Sequence, residues 1–373
     1  MWLLSFFIFY FALTNNHAVD LHVNPDVIDS EKTKPSSCTI LARNLLYNES
    51  RTTSLFYLQR SDGMGAEMQS VIHAVAYSFY RGWNFLGFQE YKWQHNPHGI
   101  QERDYMNFFW GDGRLLEYSQ YPDTKPVMAH LAESVDVDKF QGGKNVAYFI
   151  DKNKFDLDKI AILSKLPIER YFSPLFLSTI RAVVACQVQT SLNKTYLFGN
   201  HHKRLTVAAH IRRGDVDAHE TYRYVPDELF LSVLTAIRKM YPYADIHAFT
   251  STLMTPTLQQ KHNDELLTLQ NKFKAHNFTL HVTDESSANN AEQSMNTVAH
   301  FITADVFVMS KSSFSSVPAY YNPNCVIHVP FWWSSLSHYI NLPKNVSDIE
   351  GAVRTVETQL PACISALPKR NAK

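Results

Sequence analysis

The stretch Val207–Asp215, with the sequence VAAHIRRGD, decides the fold. Residues 207–211 form a short apolar run followed by turn residues, a pattern that predicts a buried strand. Gly214 allows the chain to turn sharply directly after two adjacent arginines. Open α/β sheets bind ligands at the carboxyl ends of their strands, and arginine binds phosphate oxygens two at a time. The stretch therefore predicts a strand end that binds phosphate, and we expect the ligand to be the diphosphate of a nucleotide sugar.

Strands and helices alternate around this stretch. Apolar runs predict further strands at 246–249, 278–282, 305–309 and 325–329, with helical periodicity between them. Such alternation is typical of a parallel, doubly wound sheet. Nearer the N-terminus, a strand at 54–60, a glycine turn and an apolar helix face from Met68 to Phe79 predict the start of another βαβ unit. The fold class is therefore α/β.

Three segments resemble one enzyme family. HIRRGD, residues 210–215, resembles the H-x-R-x-G-D motif of α1,2-, α1,6- and protein-O-fucosyltransferases. Gly63-Met-Gly65 resembles the family's Gly-x-Gly loop, which faces the cleft from the N-terminal domain. Ser310–Ser315, after an apolar strand, resembles its final motif of paired serines before a helix. The resemblance covers roughly residues 55–333 and implies a GT-B type fold, in which two Rossmann-like domains face a cleft.

The resemblance also implies inverting, metal-independent transfer of fucose from GDP-fucose to a glycan or glycoprotein hydroxyl. Arg212 matches the arginine that contacts the β-phosphate, so we expect it to stabilise the leaving diphosphate. The other residues expected to bind the nucleotide sugar lie in the same motifs: His210, Arg213, Gly214, Asp215, Ser310, Lys311, Ser312, Ser313 and Phe314. In the purely structural alternative, the arginines pair with Asp215 and Asp217, and a serine caps the helix without a ligand.

Glu220 is the residue expected to deprotonate the acceptor. Some α1,6-type members have a glutamate eight residues after the phosphate arginine, and Glu220 has this spacing from Arg212. A base must lie within hydrogen-bond reach of the acceptor hydroxyl, so the neighbouring His219, Asp215 and Asp217 remain rivals. Contacts to the nucleobase are expected around residues 250–252, 283–285 and 297–300.

Several features indicate the secretory pathway, with a location in the lumen of the Golgi or the endoplasmic reticulum. Residues 2–13 form an apolar run shorter than the about 17–25 residues of a membrane span, and fit a cleaved signal peptide or a short signal anchor. Four sequons predict N-glycosylation at Asn48, Asn193, Asn277 and Asn345. Four cysteines permit two disulfides in three possible pairings, and Cys186 also suits a plain buried thiol.

The chain divides into five expected segments. They are a signal or anchor at 1–18, a stem at 19–50, an acceptor-side domain at 51–200, a nucleotide-sugar domain at 201–345, and a closing helix with its tail at 346–373. The net charge is zero, which gives no support for a nucleic-acid partner. A membrane partner is expected only through an N-terminal anchor.

Other functions fit parts of the pattern. The same fold could take another nucleotide-sugar donor, or bind a sugar or nucleotide without turnover. A metal-dependent transferase would use a D-x-D string, but that string occurs at 215–217, 136–138 and 156–158 and is therefore unspecific. We expect no metal or other cofactor, because the paired arginines can supply the positive charge. Residues 213–215 read RGD, but an adhesion motif needs an exposed loop tip and not the end of a buried strand.

Overall fold

This computed structural model describes two parallel sheets with their helices, all within one compact unit, Ser36–Lys373. The described residues are 44–48, 50–51, 53–58, 64–89, 125–129, 146–151, 168–191, 198, 204–213, 216, 222–251, 259–283, 290–331 and 335–367. The expected signal or anchor and most of the stem lie outside them, and the domain limits stay predictions. Within these residues, no helix is long and apolar enough to cross a membrane.

The first sheet has four parallel strands in the order β2-β1-β4-β3. They are β1 (Thr53–Leu58), β2 (Asn84–Gln89), β3 (Lys125–Ala129) and β4 (Val146–Asp151). Helix α1 (Met64–Arg81) connects β1 to β2 and buries the predicted apolar face. A short 3₁₀ helix (Ile168–Arg170) and helix α2 (Pro174–Ser191) follow the sheet in sequence.

The second sheet has six parallel strands in the order β10-β9-β8-β5-β6-β7. They are β5 (Thr206–His210), β6 (Asp245–Ser251), β7 (Thr279–Thr283), β8 (Val306–Val308), β9 (Cys325–His328) and β10 (Ile340–Asn341). Five helices alternate with them: α3 (Asp227–Met240), α4 (Gln259–Ala275), α5 (Asn290–Thr303), α6 (Ser313–Tyr321) and α7 (Ile349–Ser365). The predicted α/β class is therefore confirmed, with two parallel sheets as a GT-B type requires.

The central strand β5 separates two hydrophobic cores. Its side chains alternate between the two faces of the sheet, so Ala208 belongs to one core while Val207 and Ala209 belong to the other. The first core also contains residues of α1, α2, α5 and α6, and therefore joins the two sheets. The second core is formed with α3, α4 and α7. Burial of each large apolar side chain contributes about 1.5–3 kcal/mol.

A disulfide holds the last helix on the second sheet. Cys325 at the start of β9 is bonded to Cys363 in α7, with an S–S distance of 2.06 Å. Val356 and Leu360 of α7 are fully buried in the second core. Cys186 is also disulfide-bonded, so the interpretation of this residue as a plain buried thiol is wrong.

Candidate functional site

The two predicted donor-binding motifs meet in the second sheet, where β5 lies beside β8. From β5 the chain moves outwards to β6 and β7, and then returns to β8 on the other side of β5. Such a topological switch point is where open α/β sheets bind ligands. The backbone N–H of Arg212, after β5, donates to Ser310 Oγ, after β8, at 3.3 Å. The Arg212 guanidinium lies 3.5 Å from the carbonyl oxygen of Lys311.

His210 ties the two motifs together as a neutral group. Its Nδ1 atom is hydrogen-bonded to the Ser315 hydroxyl, which also accepts from the backbone N–H of Ser310 at 3.1 Å. Burial, together with the charges of Arg212 and Arg213, lowers the pKa of His210 to about 3. The imidazole is therefore uncharged near neutral pH, and its contacts fix the loop that enters α6.

Two adjacent serines at the start of α6 differ in their hydrogen bonds. Ser312 is the N-cap, and its hydroxyl accepts from the backbone N–H of Phe314 at 3.2 Å. The N–H groups of Ser315 and Ser316 donate to the Ser312 carbonyl oxygen. None of the hydrogen bonds among the described residues uses the hydroxyl or backbone N–H of Ser313. Those two donors stand at a helix N-terminus, where an anion is favoured.

Lys311 is a buried cation beside this helix start. Only 7% of its surface is exposed, and burial lowers the pKa of its ammonium group. No acidic side chain of the described residues forms an ion pair with it. A buried charge without a counter-charge is costly for a protein. Lys311, whose backbone carbonyl contacts Arg212, is therefore a candidate for binding an anion.

Arg213 has a different environment from its neighbour. Its guanidinium pairs with the Asp227 carboxylate, and donates to the carbonyl oxygens of Arg212 at 2.7 Å and Val225 at 3.0 Å. It also stacks on Tyr224, 4.4 Å from the ring centroid. Protein groups therefore engage Arg213 on several sides, which favours a structural role over direct phosphate binding. This partner differs from Asp215 and Asp217, which the structural alternative had suggested.

Gly65 allows helix α1 to approach the start of α6 closely. It lies in the first turn of α1, and a Cβ atom at this position would be 2.4 Å from the backbone nitrogen of Phe314 and 2.7 Å from its Cα. No side chain fits at that distance from the backbone of α6. Gly65, predicted as part of a loop that faces the cleft, is therefore helical and borders the start of α6.

The Thr250 hydroxyl lies near the carboxyl end of β6, in a region expected to contact the nucleobase. Thr250 is 3% exposed, and its Oγ1 atom has no hydrogen-bond partner among the described residues. Buried hydroxyls are rarely left unpaired, so this atom is a candidate contact for a ligand on the β6 side of Arg212.

Several predicted site residues lie outside the described part of the chain and stay predictions: Gly63, Gly214, Asp215, Glu220 and Asn193. The other predicted glycosylation sites, Asn48, Asn277 and Asn345, are all exposed. A search of the described residues for three or more histidine, cysteine or acidic side chains that could share a metal ion finds none.

Two residues of the site were missed from the sequence. Ser315 bonds to His210, although only the preceding serines were included in the predicted site. Asp227, in the first turn of α3, was not included in the predicted site either, whereas it binds Arg213. The only signal for either residue was its place within a motif or first helical turn, and neither pattern specifies a partner distant in sequence.

No protein-family model and no curated protein matches this sequence. Several solved structures match it distantly. A mutant of Arabidopsis thaliana FUT1 in complex with GDP has 12% identity and a TM-score of 0.41, with 84% of this chain and 82% of that chain covered. ADP-heptose LPS heptosyltransferase II of E. coli has 9% identity and a TM-score of 0.39, with 84% of this chain and 98% of that chain covered. The fucosyltransferase NodZ from Bradyrhizobium has 11% identity and a TM-score of 0.36, with 72% of this chain and 93% of that chain covered. These TM-scores are all below 0.5.

Proposed function

We propose that the protein is an inverting, metal-independent glycosyltransferase that moves fucose from GDP-fucose to a hydroxyl of a glycan or glycoprotein. The observation that carries this proposal is the buried Lys311, placed beside Arg212 at the switch point of a parallel sheet. Its ammonium group has no acidic partner among the described residues. The resemblance of residues 210–215 to the H-x-R-x-G-D motif favours a fucosyltransferase with a GDP-sugar donor over other nucleotide-binding functions.

The positive charges act on the leaving group. As the bond between the sugar and the diphosphate breaks, negative charge develops on the diphosphate oxygens. Arg212 and Lys311 stabilise this charge, and the two free donors of Ser313 add hydrogen bonds. Hydrogen bonds from Arg212 already hold the loop that carries Lys311, so little reorganisation of this loop is required during the reaction.

The acceptor hydroxyl attacks the anomeric carbon from the face opposite the diphosphate. A base removes its proton, and the configuration at the anomeric carbon is inverted. Glu220 is our candidate for this base, on the strength of its spacing from Arg212. His210 is not a candidate, because its pKa of about 3 and its bond to Ser315 suit a fixed neutral group.

Thermal unfolding with a panel of nucleotides tests the donor class. The protein is heated with GDP, GDP-fucose, UDP or ADP, in the presence of a chelator, because a ligand that binds only the folded state raises the unfolding temperature. Stabilisation by GDP and GDP-fucose alone supports the proposal. Stabilisation by UDP or ADP alone would mean that the donor carries that nucleotide and is not GDP-fucose. Nucleotide binding without turnover on any acceptor of a glycan panel would mean that the protein binds nucleotide without catalysing transfer.

We also propose that the protein works in the lumen of the secretory pathway. A disulfide between Cys325 and Cys363 is typical of an oxidising compartment. Asn48, Asn277 and Asn345 are exposed, as acceptors of N-glycans must be. Expression in secretory cells, followed by enzymatic removal of N-glycans, should increase the mobility of the protein on a gel. Unchanged mobility would contradict this location.

A further inference from the structure

Arg213 connects the end of β5 to the residues that precede α3. On one side it donates to the carbonyl oxygen of Arg212 at 2.7 Å, and on the other to that of Val225 at 3.0 Å. The Arg212 carbonyl belongs to the peptide unit directly after the side chain that we assign to the diphosphate. The contact therefore restricts the backbone orientation of Arg212.

Asp227 and Tyr224 hold the Arg213 guanidinium in this position. Asp227, in the first turn of α3, forms an ion pair with it, and both side chains are about nine-tenths buried. The Tyr224 ring lies against the guanidinium plane at 4.4 Å. A planar guanidinium with several fixed partners has few alternative orientations. We call Arg213, Tyr224 and Asp227 the arginine clamp.

Lys272 contacts Asp227 from the solvent-exposed side. Its ammonium group lies 2.9 Å from the second carboxylate oxygen of Asp227 and is 38% exposed. Burial by itself would raise the pKa of Asp227, but the charge and hydrogen bonds of Arg213 and Lys272 outweigh it, and the net pKa is lowered. Asp227 is therefore ionised at neutral pH, and the clamp remains charged.

We propose that Asp227 is a positioning residue for donor binding, and that it acts through Arg213 to orient Arg212 towards the loop containing Lys311. This inference rests on the proposed function, since it assigns the diphosphate to Arg212. It gives the two adjacent arginines different tasks: Arg212 contacts the donor, and Arg213 holds the backbone that presents Arg212.

The test separates positioning from stability. Removing one partner of a buried ion pair is strongly destabilising, whereas replacing both partners by apolar residues is often tolerated. We therefore compare Asp227→Asn with the double variant Arg213→Met/Asp227→Leu, and measure the unfolding temperature and the Kd for GDP and for inorganic pyrophosphate. Lys272→Met is the matched control, because it removes the outer partner of Asp227 and leaves the Arg213 contacts in place.

We expect Asp227→Asn to lower the unfolding temperature and weaken GDP binding at least tenfold. The double variant should regain most of the unfolding temperature and still bind GDP at least tenfold more weakly than the native protein. Lys272→Met should bind GDP within about twofold of native. A double variant that recovers native affinity together with stability would overturn the positioning role.

Arg212→Met in both backgrounds completes a double-mutant cycle. If the clamp acts through Arg212, this substitution weakens binding in the native background and has much less effect in the double variant. Equal losses in both backgrounds would contradict the inference. Native affinity in the single Arg212→Met variant would instead refute the proposed function, and a native protein that binds neither GDP nor pyrophosphate would refute both.

Discussion

Two buried polar clusters of the second sheet differ in how their side chains are paired. At the end of β5, Lys311 has no acidic partner among the described residues, and the donors of Ser313 are unused. On the face of β6 and β7, the histidine cluster comprises His247, His281 and His300. His247 bonds to Asp245 at 2.9 Å and to His281 at 2.7 Å, while His300 bonds to the Asn296 carbonyl oxygen at 2.6 Å.

Each ring of the histidine cluster is hydrogen-bonded to another group of the protein. Phe249 packs against His281 and His300, with ring centroids 4.9 and 5.1 Å away, and Phe198 lies against His247 and His300. Burial, together with neighbouring histidines, lowers the pKa of His281 and of His300 to about 4 in each case. The His281 and His300 rings are therefore neutral near neutral pH and have protein partners, whereas the Lys311 ammonium group at the β5 end has no acidic partner among the described residues. This difference in pairing is why the β5 end, and not the histidine cluster, is our candidate binding site.

The largest effect is expected from removing the charges at the β5 end. Arg212→Met and Lys311→Met should each lower kcat by about 100- to 1000-fold, because under the proposed function each removes a group that stabilises the leaving diphosphate. Steady-state kinetics with GDP-fucose and an acceptor identified by screening provide the measurement. Arg354→Met is the control, since Arg354 pairs with Glu350 on the exposed surface of α7. If either site variant keeps the native kcat, that residue does not act on the leaving group, and the β5 end is no more functional than the histidine cluster.

Gly65→Ala should disturb the β5 end without changing any charge. The added methyl group would press on the backbone of Phe314, at a cost of about 1–3 kcal/mol of stability or a displaced start of α6. We expect GDP binding to weaken about tenfold, as judged by calorimetry. Ser70→Ala, at a half-buried position of the same helix, should retain native affinity. Unchanged GDP binding in Gly65→Ala would show that this contact does not shape the site.

Acid should affect the stability of the histidine cluster. The ordinary pKa of histidine is about 6.5, so the unfolded chain takes up protons below that pH while His281 and His300 stay neutral in the folded state. The free energy of unfolding should therefore fall as the pH is lowered from about 6.5 to 4. His281→Phe and His300→Phe should each flatten this dependence in urea titrations. A native slope in both variants would place the linked protons elsewhere.

The smallest effects should come from the two serines at the start of α6. Ser312→Ala removes an N-cap and should cost about 1 kcal/mol in stability, measured by urea unfolding. Ser313→Ala should leave stability nearly unchanged and weaken GDP binding several-fold, because a hydrogen bond contributes about 0.5–1.5 kcal/mol. If Ser312→Ala weakened GDP binding and Ser313→Ala lowered stability, Ser312 and not Ser313 would bind the ligand.

The alternation of elements and the meeting of the two motifs at one end of the sheet could be predicted from the sequence. Residues 207–211 predicted the central strand, and the observed β5 spans Thr206–His210. The apolar period after Met64 predicted α1. These predictions worked because the apolar period and the turn residues are local signals. The meeting of residues 212 and 310 followed from the general rule that parallel strands end at the same edge.

The partners within the site could not be predicted in the same way. Two adjacent arginines have the same chemistry, and only the fold places Asp227 against Arg213 and the Lys311 loop against Arg212. Nor does the spacing of glycines in a loop reveal that Gly65 adjoins Phe314. Pairings of this kind depend on packing between distant elements, for which a single sequence has no periodic signal.

The contact between Gly65 and Phe314 also limits how the chain can be recombined. A chimera that joins the second sheet of this protein to the first sheet of another protein of the same fold would have to provide a glycine opposite the incoming α6. An exchange that places any larger residue there would separate the halves or tilt α6. Screens of such chimeras should therefore recover functional clones mainly among parents that carry this glycine, whatever their similarity elsewhere.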